Sequence, residues 1–247
     1  MLSFLDPGIH QVRASGPFRV RRIHPGTHLA TGDDRGFAGL GMIDHAHLAA
    51  GLTIPLHEHK DDEIVSYVRR GTLLHRDRTK TIHKVTPERL MVMNAGQGFS
   101  HEEHAPASDD VAMLQIFVRP EKAGLPPQIQ FADLAAARAT DGWRTLAGPP
   151  GSGAPTVVRQ VVHLLDLHLP AGGRTELPLR PGFDLFLYVF SGTVRFCGRV
   201  MSPTWGATVT GPGRVGHVEA EEPADLVAVL VDPRAKATRA GTLSGRA

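Results

Sequence analysis

Short apolar runs rich in Val, Leu, Ile and Phe recur along the chain, each bounded by glycine, proline or polar residues. This spacing is typical of the strands of an all-β protein. Long apolar periods of 3.6 residues are absent, so only one short, alanine-rich helix is predicted, over residues 131–138. The predicted strands cover residues 41–47, 64–68, 71–75, 89–93, 112–118, 157–169, 184–189, 193–197 and 225–231.

A segment over residues 119–153 differs from both of its flanks, because it combines Pro120, Pro126 and Pro127 with the predicted helix and a glycine-rich loop. We therefore predict two β domains, residues 1–120 and 121–247. The sequence Tyr-Val, two further residues and Gly-Thr occurs at 67–72 and again at 188–193, which indicates two similar halves. For the basic stretch 234–247, both disorder and packing on the first domain remain open.

Composition excludes several classes of function. The net charge is +2, and the basic residues are scattered without interleaved aromatics, so we expect no direct nucleic-acid binding. No apolar run approaches the ~18–20 residues of a membrane span, and no secretory signal is evident, so no membrane partner is expected. The single cysteine, Cys197, excludes internal disulfides and favours a cytoplasmic location. We expect a monomer, since two barrels can pack together within one chain.

Histidines are concentrated in the first half, where eight of the fourteen lie between residues 45 and 104. Successive side chains of a strand alternate faces, so His57 shares a face with His59, and His101 shares one with Glu103. Two such pairs on neighbouring strands would present three imidazoles and a carboxylate to one point. That set suits a first-row divalent metal with positions left open for water, O2 or substrate. We predict a metal site at His57, His59, His101 and Glu103.

The surrounding residues form two motifs, Gly-x5-His-Glu-His-x3-Glu at 51–63 and Ala-Gly-x-Gly-x2-His-x-Glu at 95–103. The first resembles the first cupin motif, and the second resembles its pirin version, so the chain is similar to the pirin family of bicupins. The resemblance implies two cupin-type β-barrels of the double-stranded β-helix or jelly-roll kind, with the four metal ligands already named. Iron is the expected metal, and copper, nickel, manganese and zinc are alternatives. Glu58 and Glu102 depart from the family pattern without removing a ligand.

The resemblance also implies a function, that of a quercetin 2,3-dioxygenase-like oxidoreductase acting on a flavonol. Glu103 or Glu63 would accept the substrate proton, with Glu102 as a further candidate, and Glu63 is also a rival metal ligand. Alternatives are a redox-sensing regulator that binds a protein partner, and a sugar- or small-acid-binding cupin such as an isomerase. In the second half only His217 lies near a motif position, so no metal site is predicted there.

Overall fold

The computed structural model describes residues 1–29, 32–211 and 215–246 of the 247-residue chain. The prediction of an all-β fold is confirmed. Two 3-10 turns, Pro7–Ile9 and Ser244–Arg246, are the only helical elements within these ranges. None of the helical segments found there has the length and apolar character needed to cross a membrane.

Twenty-two strands form the described part of the chain. The first twelve are β1 (Leu2–Leu5), β2 (Gln11–Ser15), β3 (Phe18–Ile23), β4 (Leu40–Leu48), β5 (Thr53–His59), β6 (Glu63–Arg70), β7 (Leu73–Asp77), β8 (Ile82–Val85), β9 (Arg89–Asn94), β10 (Phe99–His104), β11 (Val111–Val118) and β12 (Gln128–Asp133). The other ten are β13 (Arg144–Gly148), β14 (Thr156–Val157), β15 (Val162–Leu169), β16 (Arg174–Thr175), β17 (Asp184–Ser191), β18 (Val194–Phe196), β19 (Arg199–Met201), β20 (Gly206–Val209), β21 (Val218–Ala220) and β22 (Ala224–Val231).

Each half contains one large and one small sheet. The large sheets have the strand orders β12-β9-β6-β11-β4-β3-β2 and β1-β20-β17-β22-β15-β13-β14, and the small ones β5-β10-β7-β8 and β16-β21-β18-β19. A core of buried apolar residues lies between the large and small sheet of each half, and a third core joins the two large sheets. Two-layered antiparallel sheets of this kind are the architecture of a jelly-roll barrel.

The two large sheets exchange an edge strand. β1 pairs with β20 of the second half, with Leu2 opposite Val209, and β12 pairs with β9 of the first half, with Asp133 opposite Arg89. The predicted domain boundary at residue 120 stays a prediction. β1 belongs to the first half by sequence but pairs in the second large sheet, and β12 belongs to the second half but pairs in the first. Each large sheet is therefore completed by a strand from the other side of that boundary.

Two tyrosines form matching hydrogen bonds between the large sheets. Tyr67 on β6 donates to Asp166 on β15 over 2.8 Å, and the hydroxyl of Tyr188 on β17 lies 2.8 Å from Nδ1 of His45 on β4. Both tyrosines belong to the repeated Tyr-Val sequence. The repeat therefore occupies equivalent places in the two sheets, and it supplies polar contacts across their shared core.

The predicted helix over 131–138 is wrong. Phe131 lies in β12, where the backbone pairs with β9, and the Gln130 amide donates to Asn94 over 2.7 Å and to the carbonyl of Val157. These contacts favour an extended chain over the helix propensity of the alanines that follow. The predicted strand 157–169 is also two strands, β14 and β15, separated by a turn that contains Arg159.

Candidate metal centre

The small sheet of the first half places the predicted ligands on adjacent strands. In its register His101 on β10 lies opposite His57 on β5, and Phe99 lies opposite His59. The pairing then shifts, so that Glu103 lies opposite Ile54. This irregularity adds a residue to β5 next to Pro55, which has no amide hydrogen to donate to the ladder.

Three of the four predicted ligands form one cluster. Each of His57, His59 and His101 offers a ligand nitrogen, and these nitrogens all lie within 4.8 Å of one another. The ring centroids are 4.4 Å apart for His57 and His101, and 5.0 Å apart for His57 and His59. His59 and His101 are buried, whereas His57 is half-buried. The cluster therefore opens towards solvent past His57.

The hydrogen bonds of the cluster leave one nitrogen of each imidazole free. Nδ1 of His57 donates to the carbonyl of Pro55 over 2.8 Å, and Nδ1 of His59 lies 3.3 Å from a carboxylate oxygen of Asp62. Nε2 of His101 is buried and has no partner among the described residues. A buried, unpartnered nitrogen is costly unless something binds it, so the three residues fit a metal ion.

His75 borders this cluster through a contact with His101, although the sequence motifs do not include it. It lies on β7 opposite Glu103, is fully buried, and places its Nδ1 3.1 Å from Nδ1 of His101. Burial lowers the pKa of His75 to about 4. Burial, followed by the neighbouring imidazoles of His57, His75 and His59, lowers the pKa of His101 to about 2. Both rings are therefore neutral at pH 7, the form that ligates a metal.

Glu103, the fourth predicted ligand, is buried beside the cluster but does not join it at the 4.8 Å separation of the three histidines. Both of its carboxylate oxygens accept hydrogen bonds from the Gln115 amide, at 2.8 and 3.0 Å. Burial raises the pKa of Glu103 to about 7, against the opposing effect of those bonds and of His59. The motif predicted Glu103, but it gave no indication of Gln115, which is on β11.

Glu63 is not brought to the histidines. One carboxylate oxygen accepts a 2.7 Å bond from Nε of Arg159, and the other accepts bonds from the Arg159 backbone amide and from Asn94. Burial raises the pKa of Glu63, and its Arg159 contacts oppose this. The predicted roles of Glu63 as ligand or base stay predictions, and these contacts argue against them, because the carboxylate already joins the two halves of the chain.

The remaining candidates face away from the cluster. Glu102 pairs with Arg76 over 3.0 Å, and Nδ1 of His104 lies 2.8 Å from the hydroxyl of Thr53 at the surface. In the second half, His217 is half-exposed beside Glu176. Within the described ranges, only one group of three or more His, Cys, Asp or Glu side chains lies close enough together to hold a metal ion. It consists of His57, His59 and His101.

Comparisons with known proteins identify relatives of this chain. Residues 13–118 match the family model described as Pirin. A quercetin 2,3-dioxygenase of Escherichia coli (strain K12) is 34% identical over 96 residues, which cover 38% of this chain and 42% of that protein. A pirin-like protein of Caulobacter vibrioides is 26% identical over 194 residues, covering 78% of this chain and 83% of that protein.

The fold has a match among solved structures as well. The crystal structure of the bacterial pirin YhhW from Escherichia coli in complex with nickel(II) superposes with a TM-score of 0.81 and 21% identity, over 94% of this chain and 100% of that one. At that identity the likeness concerns the fold. The match of residues 13–118 to the family model shows a Pirin domain in that part of the chain.

Proposed function

We propose that this protein is a metal-dependent dioxygenase that acts on a flavonol. The observation that carries the proposal is the convergence of His57, His59 and His101. Among the ring nitrogens of these three described residues, Nε2 of His101 is buried without a hydrogen-bond partner. A bound divalent metal would polarise the substrate oxygen and bring O2 beside the ring. The names of relatives support the substrate class, since two of them, both from Escherichia coli, are named quercetin 2,3-dioxygenase.

The residues of the chain contribute binding, orientation and proton acceptance. Nδ1 of His57 is fixed by Pro55, so that ring presents Nε2 inward. Glu103 is held by Gln115 next to the cluster, and we assign it the acceptance of the substrate hydroxyl proton. Ligation by Glu103, the other role predicted for it, would use a second lone pair of a carboxylate oxygen, since each oxygen accepts one hydrogen bond from Gln115.

The test is oxygen uptake with quercetin by purified protein loaded with Fe(II), and separately with Ni(II). Uptake is expected for the wild type and lost in His57→Ala. His104→Ala is the matched control, because that imidazole lies on the same small sheet but at the surface. Wild-type uptake no greater than that of His57→Ala would overturn the proposal. Metal binding without oxygen uptake would favour the regulatory alternative.

Glu103→Gln separates the two roles of that carboxylate. As a proton acceptor only, the variant should retain metal and lose turnover. If Glu103 is a ligand, the variant should also bind the metal more weakly. The readouts are metal content after dialysis and the rate of oxygen uptake under saturating metal.

A further inference from the structure

Residues 241–244, far from the histidine motifs in sequence, pack directly on the loop that follows His59. The backbone amide of Thr242 donates to the carbonyl of Lys60 over 2.9 Å, and the amide of Lys60 donates to Oγ1 of Thr242 over 2.8 Å. Leu243 packs against the apolar cluster that contains Phe117, whose ring centroid is 6.1 Å from that of His59. Residues 241–244 therefore pack on the first half, one of the two outcomes left open for residues 234–247, of which residue 247 lies outside the described residues.

Asp62 connects this segment to the metal cluster. Its side chain is fully buried, and Oδ1 accepts bonds from the amide and the hydroxyl of Ser244, at 2.9 and 2.7 Å. Oδ2 accepts a bond from the amide of Leu243 at 3.1 Å and lies 3.3 Å from Nδ1 of His59. The carboxylate that faces His59 is therefore held in place largely by residues 243 and 244.

Residues 241–244 are tightly packed against their neighbours. A Cβ atom on Gly241 would lie 2.1 Å from the Ser244 hydroxyl and 2.4 Å from Oδ1 of Asp62. A Cβ on Gly41 of β4 would lie 2.8 Å from the backbone of Ser244. The carbonyl of Ser244 accepts a 2.8 Å bond from Nε of the buried Arg119, whose other nitrogens bind Asp34. Such contacts allow one arrangement of the segment.

We propose that residues 241–244 and Asp62 are positioning elements of the metal site, acting through His59. The inference rests on the proposed metal binding by the three histidines. A carboxylate that accepts Nδ1–H of a ligating histidine fixes the ring and its tautomer, which leaves Nε2 free for the metal. In this protein that carboxylate is held by a segment about 180 residues away in sequence, so the strength of metal binding depends on how this segment is packed.

Displacing the segment removes the donors that compensate the buried Asp62 charge. A buried carboxylate that loses its hydrogen bonds is unfavourable and must find new partners. It would turn away from His59 to do so, and the imidazole would lose its constraint. Outer-shell partners of this kind change metal affinity by about 10- to 100-fold when they are removed.

The test is titration of the full chain with Co²⁺ alone, followed by calorimetry and by the visible d–d spectrum at saturating metal. Asp62→Asn and Gly241→Ala should weaken Co²⁺ binding by about 10- to 100-fold and alter the spectrum. Ser244→Ala, which removes one hydrogen-bond donor to Asp62, should change the Co²⁺ affinity and the spectrum in the same direction by a smaller amount. Gly216→Ala is the control, since its added Cβ would meet only Cys197 Sγ, at 3.6 Å.

The outcomes separate this inference from the proposed function. Wild-type affinity and spectrum in all three variants would overturn the inference alone, provided that His57→Ala abolishes binding. Equal Co²⁺ binding by wild type and His57→Ala would overturn the metal site itself. If Asp62→Asn or Gly241→Ala fails to fold, Ser244→Ala decides, and an unchanged spectrum in that variant counts against the inference.

Discussion

Nδ1 of His75 and Nδ1 of His101 lie 3.1 Å apart in a buried pair, and two such nitrogens cannot both donate. When His101 ligates through Nε2, its Nδ1 carries the hydrogen and His75 must accept it. Nε2 of His75 is then protonated. That atom has no partner among the described residues. In the proposed metal site, His75 would thus fix the tautomer of His101, as Asp62 would for His59.

The variant His75→Phe keeps the volume of the ring and removes the acceptor. We expect its Ni²⁺ affinity to fall by about 10- to 100-fold, while His75→Gln, which retains an acceptor oxygen, loses less. Calorimetric titration measures both. His217→Phe is the control, because His217 is half-exposed in the second half of the chain, beside Glu176. Equal affinities in wild type and His75→Phe would show that the pair has no such role.

Arg159→Met tests whether Glu63 is structural. The substitution removes the guanidinium that pairs with the fully buried Glu63, and breaking a buried ion pair from one side costs about 3–5 kcal/mol. We expect a loss of about that size in urea unfolding and unchanged Ni²⁺ binding. Arg174→Met, in an exposed pair with Glu219, should change little. Weakened metal binding at unchanged stability would instead support Glu63 as part of the site.

We expect His45 to make the free energy of unfolding sensitive to acid. Burial, together with the charges of Arg21 and His47, lowers the pKa of His45 to about 4, against 6.5 for the free side chain. The unfolded chain therefore binds the proton first as the pH falls. The contribution of neutral His45 to the free energy of unfolding is fully present above about pH 6.5. It is lost progressively as the pH falls towards 4, by about 1.4 kcal/mol per pH unit for one proton.

The measurement is the free energy of unfolding in urea at pH 7.5 and pH 5. His45→Phe keeps the stacking with Phe190 and removes the titration, so its stability should depend less on pH than that of the wild type. The loss of the Tyr188 bond lowers its stability at both pH values by a similar amount. Parallel pH dependences in the two proteins would refute the assignment.

Tyr67→Phe and Tyr188→Phe remove the matching bonds between the large sheets. Each should lower stability by about 1–2 kcal/mol, because Asp166 and His45 are left with fewer partners in the interior. Both variants should still unfold in a single transition, since the core between the sheets is shared. Differential scanning calorimetry checks this, and two separate transitions in either variant would contradict it.

The strands with continuous apolar runs, such as β22, were predictable because both of their faces are buried. β12 was not, since the alanines that follow it favour a helix and its strand form depends on pairing with β9. The grouping of His57, His59 and His101 followed from strand alternation, which is local. His75 required knowing that β7 lies beside β10, and Asp62 required a contact to Ser244 across 182 residues. Such contacts leave no periodicity in the sequence.

The exchange of β1 and β12 has a consequence during translation. During synthesis β1 emerges about 200 residues before its partner β20, which is completed only at Val209. At about 5–20 residues per second, roughly 10–40 s separate the two on the ribosome. During that time β1 is a free edge strand with unpaired backbone groups, available to a neighbouring nascent chain. The edge of the second large sheet is therefore completed by a strand that was synthesised well before the rest of that sheet.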